Sequence, residues 1–170
     1  MIVLISGTTH TGKTALAQRL LEKYKMPYLS IDHLKMGLIR SGQTSINVTD
    51  DESLTPYLWS IVKEIVKTAI ENNQNLIIEG CYIPFDWQKD FDEQYLTHIR
   101  FYCLVMTEHY IENHFDDIVK FENVVEKRIS RCDMDKDNLI LDNRRNLQLC
   151  KKFDLPYILI DDVYEIEIVL

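Results

Sequence analysis

The stretch Gly7-Thr8-Thr9-His10-Thr11-Gly12-Lys13-Thr14 follows the apolar run Ile2-Val3-Leu4-Ile5 and precedes a segment with helical periodicity. It matches the pattern G-x-x-x-x-G-K-[ST], whose glycines let the backbone curl so that successive N–H groups point inward. Such a loop at a helix N-terminus binds phosphate groups. In residues 15–24, apolar side chains recur at 16, 20, 21 and 24, which is a helical period. The stretch therefore predicts a strand, a phosphate-binding loop and a helix.

Each residue from Gly7 to Thr14 is a predicted contact to a bound nucleotide. Lys13 adds a positive charge on the β- and γ-phosphates, and we predict that it takes part in catalysis. The Thr14 hydroxyl is a predicted ligand of the Mg²⁺ that accompanies ATP. ATP and Mg²⁺ are accordingly the predicted cofactors. The alternative interpretation is a glycine-containing turn between strand and helix in which the lysine is accidental.

The chain's size and composition indicate an ordinary globular protein. Its 170 residues correspond to about one domain with a single core, so we expect one domain over residues 1–170. The sequence is 46% hydrophobic and 27% charged. A net charge of −8 disfavours sequence-independent binding of nucleic acid, which needs a basic surface.

The cysteines and the apolar runs favour a cytoplasmic location. Four cysteines are scattered without a C-x-x-C pair, as is typical of reduced thiols rather than of disulfides or a zinc site. No apolar run approaches the ~20 residues that span a bilayer. The N-terminus begins directly with a strand and lacks the basic region of a signal peptide. We expect no membrane partner.

Predicted strands alternate with predicted helices along the chain. The strands are expected at residues 2–5, 26–31, 76–78, 99–106 and 156–160. Helices are expected at 15–24, at 32–40, from a capping box at 49–52 to 72, at 84–93, from 107 to about 131, from 139 to 152, and at the C-terminus. This alternation predicts an α/β fold with a five-stranded parallel sheet flanked by helices, in three layers. Ligands bind such sheets at the carboxyl ends of the strands.

A phosphate-binding loop alone leaves the fate of the nucleotide open. The N-K-x-D run that reads guanine is missing from the sequence, and so is a D-x-x-G run after a strand. The chain is also short for a motor ATPase. A small phosphotransferase remains, which needs an acceptor site, neutralising arginines and a cover that excludes water.

In these features the chain resembles the small P-loop kinases, which include nucleoside monophosphate kinases, shikimate kinase and related small-molecule phosphotransferases. The matching segments are Gly7 to Thr14, Ser30-Ile31-Asp32, Ile77-Ile78-Glu79-Gly80 and an arginine-bearing region before the last strand. The resemblance covers most of the chain and implies the P-loop NTPase fold with a short lid. It also implies transfer of the γ-phosphoryl group of ATP to a small molecule.

Asp32 stands where several hydroxyl-phosphorylating members of this superfamily have a carboxylate facing the acceptor. The resemblance implies that Asp32 is catalytic and binds substrate, accepting the acceptor's proton or orienting its hydroxyl. The alternative is a helix N-cap, and both roles are compatible. Shikimate kinases carry two acidic residues at this turn, whereas this chain has Ser30 in place of the first.

Three further residues are predicted to bind substrate or metal near the ends of the strands. Glu79 has the position of a Walker B acid, which would hold a water on Mg²⁺ or touch the substrate, and Gly80 follows it. Arg40 lies where an arginine of nucleoside monophosphate kinases grips the acceptor phosphate. The alternatives are a capped strand end for Glu79 and an ordinary surface arginine. The acceptor site is expected between about residues 32 and 60.

Arginines before the last strand are predicted to contact the phosphates. Arg128 and Arg131 lie one helical turn apart beside a polar loop, and we interpret residues 128–138 as a lid. On a closing lid they would be catalytic by neutralising the transferred phosphoryl group. Arg144 and Arg145 are adjacent, so at most one is expected to face the nucleotide, and Arg144 is the predicted contact. The alternative is a solvated helix face.

The sequence leaves the acceptor open between a nucleoside monophosphate and a metabolite with a hydroxyl group. Asp32 favours a hydroxyl acceptor, whereas Arg40 favours a phosphate. Two other functions also stay open, a polynucleotide 5′-kinase and a nucleotide-binding regulatory protein without turnover. The oligomeric state is not predicted.

Overall fold

The computed structural model describes residues 1–121 and 135–170. Within them the strands are β1 (Ile2–Gly7), β2 (Tyr28–Ser30), β3 (Leu76–Glu79), β4 (Ile99–Met106) and β5 (Tyr157–Ile160). The helices are α1 (Lys13–Tyr24), α2 (Ile31–Arg40), α3 (Asp51–Glu71), α4 (Glu93–Leu96), α5 (Glu108–Phe121) and α6 (Lys136–Lys152).

The strands form one parallel sheet in the order β2-β3-β1-β4-β5. Parallel neighbours need crossover connections, and helices supply them here. The central strand, β1, is buried along its whole length. Its side chains alternate between the two faces: Ile2 and Leu4 join a core with α3, whereas Val3 and Ile5 join a core with α1. The predicted three-layer α/β fold with five parallel strands is confirmed.

The pairing register brings three strand ends to one edge of the sheet. Glu79 at the end of β3 lies opposite Ile5 of β1 on one side and opposite Ser30 of β2 on the other. Neighbouring strands are about 4.8 Å apart. The loop after β1, the residues after β3 and the start of α2 therefore emerge side by side.

Two local predictions are wrong in detail. The predicted capping box would have used Thr49, but Asp50 is the N-cap of α3 and accepts a hydrogen bond from Ser53 N at 3.1 Å. The single helix predicted at 84–93 is instead a 3₁₀ turn at Trp87–Asp90 followed by α4, because Phe91 has an extended backbone. Phe91 packs edge-on against the Trp87 ring. This aromatic contact stabilises the break between the two short helices.

The predicted lid, residues 128–138, overlaps the start of α6. Asp135 caps this helix by accepting hydrogen bonds from Asp137 N at 3.0 Å and from Asn138 Nδ2 at 2.7 Å. Residues 136–138 were predicted to be loop, but they form the first turn of α6. Residues 128–134 of the predicted lid, with Arg128 and Arg131, lie outside the described residues.

The C-terminal residues were predicted to form a short helix, and this prediction is wrong. Residues 161–170 are irregular and contain no helix or strand. Along this segment Ile166 and Ile168 are buried, whereas Glu165 and Glu167 are exposed. This alternation has a period of two residues, which suits an extended segment and not a helix. The isoleucines join the core on the α1 face, and Tyr24 Oη donates a hydrogen bond to the Ile168 carbonyl at 3.3 Å.

None of the helices described is both long enough and apolar enough to cross a membrane.

Replacing Ile166 with alanine should lower the free energy of unfolding by about 2 to 5 kcal/mol, because it removes buried methyl groups and leaves a cavity. Glu167→Ala, at an exposed neighbouring position, should change stability by less than about 0.5 kcal/mol. Urea denaturation of both variants measures the difference. Equal, small effects would show that the C-terminal segment does not pack on α1.

Candidate active site

The loop between β1 and α1 has the curled backbone that a phosphate cradle requires. Gly12 and His10 have φ values of 79° and 65°, in the left-handed region. A side chain on Gly7 would place its Cβ 2.7 Å from the Leu104 carbonyl oxygen, so only glycine fits where β1 leaves the sheet. Alternation of right- and left-handed residues turns successive N–H groups toward one concavity. The geometry is that of an anion-binding loop.

Side chains of the loop stabilise its curl from within. The Thr11 hydroxyl donates to the Thr8 carbonyl at 2.9 Å, and Lys13 Nζ donates to the same oxygen at 2.6 Å. Lys13 is only 7% exposed. This partner is a neutral carbonyl oxygen, and the ammonium group of Lys13 thus lies against the backbone of the loop. A phosphate group entering the loop would meet that charge.

Thr14 and Glu79 lie together beside the loop. Thr14 Oγ1 donates to Glu79 Oε1 at 3.2 Å, and Glu79 is 1% exposed at the end of β3. A hydroxyl and a carboxylate are the hard oxygen ligands that Mg²⁺ prefers. This pair fits the metal that accompanies a nucleotide. Among the described residues no three His, Cys, Asp or Glu side chains form a metal cluster of their own.

Asp32 lies in the first turn of α2, and its carboxylate forms an ion pair within the helix. The N-cap of α2 is Ser30, so Asp32 is not the cap that the alternative interpretation proposed. Lys35, three residues further along, places Nζ 2.8 Å from Asp32 Oδ1. The lysine side chain is 11% exposed and that of Asp32 34% exposed. The carboxylate thus faces solvent while its cation is largely buried.

Lys35 is itself held by a second pair of residues. Its Nζ donates to Tyr82 Oη at 2.8 Å, and Tyr82 in turn donates to Asp51 Oδ1 at 2.8 Å. Burial, and then the hydrogen bond to Asp51, raises the pKa of the Tyr82 hydroxyl, which therefore remains a proton donor. We call Asp32, Lys35, Tyr82 and Asp51 the acceptor-wall network. It links α2, the segment after β3, and α3.

Cys81 is exposed directly before Tyr82 of this network, two residues after Glu79. Desolvation raises the pKa of its thiol, and the charge of Lys13 opposes that rise. The carboxylates of Asp32 and Glu79 add to the rise. All three charges are therefore close enough to act on one sulfur atom. Asp32, Glu79 and Lys13 lie at the edge of the sheet where the strand ends meet, and we call the space beside them the cleft.

The other two residues of the predicted acceptor site have different surroundings. Gly80 packs against the start of α2, where a Cβ would lie 2.9 Å from Ile31 Cβ. Gly80 thereby allows α2 to approach β3 closely. Arg40 is exposed at the last residue of α2, two turns beyond Asp32.

On α6, both arginines are exposed and the asparagine before them points inward. Arg144 Nη2 lies 2.7 Å from Glu108 Oε2 at the start of α5. Asn143 is 1% exposed, and its Nδ2 donates to Thr8 Oγ1 at 3.1 Å. Its Oδ1 accepts a hydrogen bond from the Met106 N–H at 2.8 Å. Asn143 therefore ties α6 to the phosphate loop and to the end of β4.

Several residues beside the site were missed in the sequence. Among them are Lys35, Tyr82, Asn143 and Tyr164, whose hydroxyl donates to the Thr11 carbonyl oxygen of the loop at 3.0 Å. Asn143 had a readable signal, because it occupies a core-facing position between Leu139 and Cys150 at helical spacing. A polar residue on a buried stripe needs hydrogen-bond partners. Lys35 stands three residues from Asp32, a spacing that brings side chains together on a helix.

The chain matches no family model, and no curated protein matches it by sequence. Its structure is similar to that of a shikimate kinase from Bacteroides thetaiotaomicron, with 12% identity and a TM-score of 0.56 over 95% of this chain and 86% of that one. It is also similar to a candidate kinase from Chloroflexus aurantiacus, with 17% identity and a TM-score of 0.54 over 96% and 88%. The chain has the fold of the small P-loop kinases. At these identities the similarity concerns the fold.

Within this P-loop kinase fold, Lys13 gives the most direct test of the loop. Lys13→Met should abolish most of the rise in melting temperature that Mg·ATP causes, because the variant keeps the aliphatic stem but loses the charge. Lys23→Met, an exposed lysine on the same helix, is the matched control and should respond to Mg·ATP as the unaltered protein does. Thermal denaturation with and without nucleotide measures both. Equal stabilisation of the Lys13 variant would contradict the phosphate-loop assignment.

Proposed function

We propose that the protein is a kinase that transfers the γ-phosphoryl group of ATP to a hydroxyl group of a small molecule. The observation that carries this proposal is that the phosphate loop and the ion-paired carboxylate of Asp32 lie side by side at one edge of the sheet. One side offers N–H groups and Lys13 to a polyphosphate. The other side offers an ionic hydrogen-bond acceptor to an alcohol.

The phosphate side would act by positioning and by electrostatic stabilisation. Phosphoryl transfer spreads negative charge over the transferred group, and preorganised donors lower the energy of that charge. The inward N–H groups of the loop and the Lys13 ammonium would do this for the β- and γ-phosphates. Thr14 and Glu79 would hold Mg²⁺, which neutralises phosphate charge when bound.

On the acceptor side, Asp32 would orient the attacking hydroxyl and take its proton. As the new O–P bond forms and the bond to ADP breaks, the hydroxyl proton would pass to the carboxylate. One oxygen of Asp32 is bound to Lys35, which limits rotation of the carboxylate. The acceptor-wall network would thus keep the second oxygen available to the substrate.

The charges around Asp32 favour a hydroxyl over a phosphate as acceptor. Lys35 is already paired with Asp32 and hydrogen-bonded to Tyr82, so its charge is shared before any substrate arrives. Arg40, the cation proposed for a phosphate acceptor, lies two turns away and is exposed. A phosphate-bearing acceptor would also face repulsion from Asp32.

Arg128 and Arg131 remain our proposed cations for the transferred phosphoryl group. Arg144, the other predicted phosphate contact, is paired with Glu108 at an exposed site. The transferred phosphoryl group therefore needs a cation from elsewhere in the chain. We expect loss of either arginine to slow the transfer step.

The experiment that tests the proposed function is an acceptor screen. ADP formation is measured with Mg·ATP and added sugars, sugar acids, hydroxyl-bearing antibiotics and nucleoside monophosphates, and products are identified by phosphorus NMR. We expect acceptor-dependent ADP formation with a hydroxyl compound and a phosphate ester as product. ATP binding without turnover on any acceptor would instead indicate a regulatory nucleotide-binding protein. Transfer only to nucleoside monophosphates would contradict the hydroxyl assignment.

Asp32→Asn should lower kcat for the best acceptor by about 10²- to 10⁴-fold, the usual effect of losing a general base. The dissociation constant for Mg·ATP should stay nearly the same, because Asp32 lies on the acceptor side. Steady-state kinetics and calorimetric binding separate the two quantities. Full activity of this variant on every accepted substrate would remove Asp32 from the mechanism.

Lys35→Met should lower kcat by about tenfold or more, while KM for ATP stays unchanged, because Asp32 loses the partner that orients it. Lys35→Arg should restore part of the activity. Lys67→Met is a matched control, since Lys67 also pairs with an acid three residues earlier, at 2.9 Å from Glu64, but on the exposed face of α3. Equal kcat values for the Lys35 and Lys67 variants would show that the network does not support Asp32.

A further inference from the structure

The C-terminal segment reaches the phosphate loop through one side chain. Tyr164 Oη donates a hydrogen bond to the Thr11 carbonyl oxygen at 3.0 Å. The segment is anchored on α1 by Ile166 and Ile168, which are 4% and 5% exposed. Tyr164 is thus carried by a packed part of the chain, which presents its hydroxyl to the loop.

The contact constrains the peptide unit that joins Thr11 to Gly12. A peptide bond is planar and normally trans, so its C=O and N–H groups point in opposite directions. There is no cis peptide among the described residues. When Tyr164 binds the Thr11 oxygen on one side of this unit, the Gly12 N–H must point to the other side. In a phosphate loop, that direction is toward the polyphosphate.

Gly12 is shaped by the same contact. A Cβ at this position would lie 1.8 Å from the Tyr164 hydroxyl oxygen, so the tyrosine occupies the space that any side chain would need. The φ of 79° is a second reason for glycine here. Two independent constraints therefore meet at one residue of the loop.

We propose that Tyr164 is a positioning residue for nucleotide binding, which holds the Thr11–Gly12 peptide so that its N–H faces the phosphates. This inference rests on the proposed function, because it assumes that the loop binds a polyphosphate. The contact of Tyr164 is with the backbone of the loop, at the Thr11 carbonyl oxygen. Its contribution therefore depends on the phosphate chain of the ligand and not on the adenosine.

The hydroxyl of Tyr164 is suited to act as a constant donor. Burial raises the pKa of Tyr164 to about 12, and the nearby charge of Arg19 limits the rise. The phenol therefore stays protonated through the neutral range and can donate to the Thr11 carbonyl throughout it.

The test compares Tyr164→Phe with Tyr24→Phe in the full chain. Tyr24 is the matched control, because its hydroxyl also donates to a backbone carbonyl, that of Ile168, and ties the same segment to α1 away from the loop. Dissociation constants are measured by calorimetry for Mg·ATP and, by competition with ATP, for Mg·tripolyphosphate, which lacks the nucleoside. Melting temperatures without ligand show that each variant is folded.

Tyr164→Phe should weaken binding of both ligands by the same factor, about three- to tenfold, the effect of one neutral hydrogen bond. Tyr24→Phe should leave both dissociation constants unchanged. Equal affinity of the Tyr164 variant and the unaltered protein for tripolyphosphate would overturn the proposal, as would a loss confined to ATP, which would indicate a contact with the nucleoside. If the unaltered protein bound neither ligand, the proposed function itself would fail.

Discussion

The pairing of β3 with β1 on one side and with β2 on the other is the constraint on which the site depends. Because Glu79 lies opposite both Ile5 and Ser30, three chain segments leave the sheet at the same level. A shift of one residue in this register would turn every side chain of the strand to the other face. Glu79 would then no longer meet Thr14, and Asp32 would leave the cleft. The burial of β1 on both faces makes such a shift costly, since it would disturb two cores at once.

The two sides of the cleft are built by different physical means. The phosphate side uses backbone groups, curled by left-handed residues and held by hydrogen bonds from Thr11, Lys13 and Tyr164. The acceptor side uses the side chains of the acceptor-wall network. Along it a carboxylate, an ammonium group, a neutral hydroxyl and a second carboxylate follow one another. A backbone cradle suits a ligand common to many enzymes, whereas a wall of side chains is easily altered. In the proposed function the nucleotide is bound by the backbone side and the acceptor by the side-chain side.

Prediction from the sequence succeeded where the signal is local. The strand over Ile99–Met106 and the curled loop between β1 and α1 follow from an apolar run and from residue spacing, and the structure has both. It failed where partners are distant in the chain. Tyr82 stands 47 residues from Lys35, and Asn143 stands 135 residues from Thr8, so no short pattern announces either contact. Catalytic roles remain predictions for Asp32, Glu79, Arg128 and Arg131. The positions of side chains do not by themselves reveal turnover.

The hydrogen bond from Tyr164 to Thr11 joins residues that are 153 positions apart, and this separation has a consequence for biogenesis. Chains are synthesised from the N-terminal end at about 5 to 20 residues per second, and a domain folds as a unit. The phosphate loop leaves the ribosome before Tyr164 and the isoleucines that cover α1, which follow many seconds later. A nascent chain would therefore display a loop whose backbone is still free to reorient. Full affinity for nucleotide would be acquired only when the tail has docked, which delays ligand binding until the rest of the sheet is available.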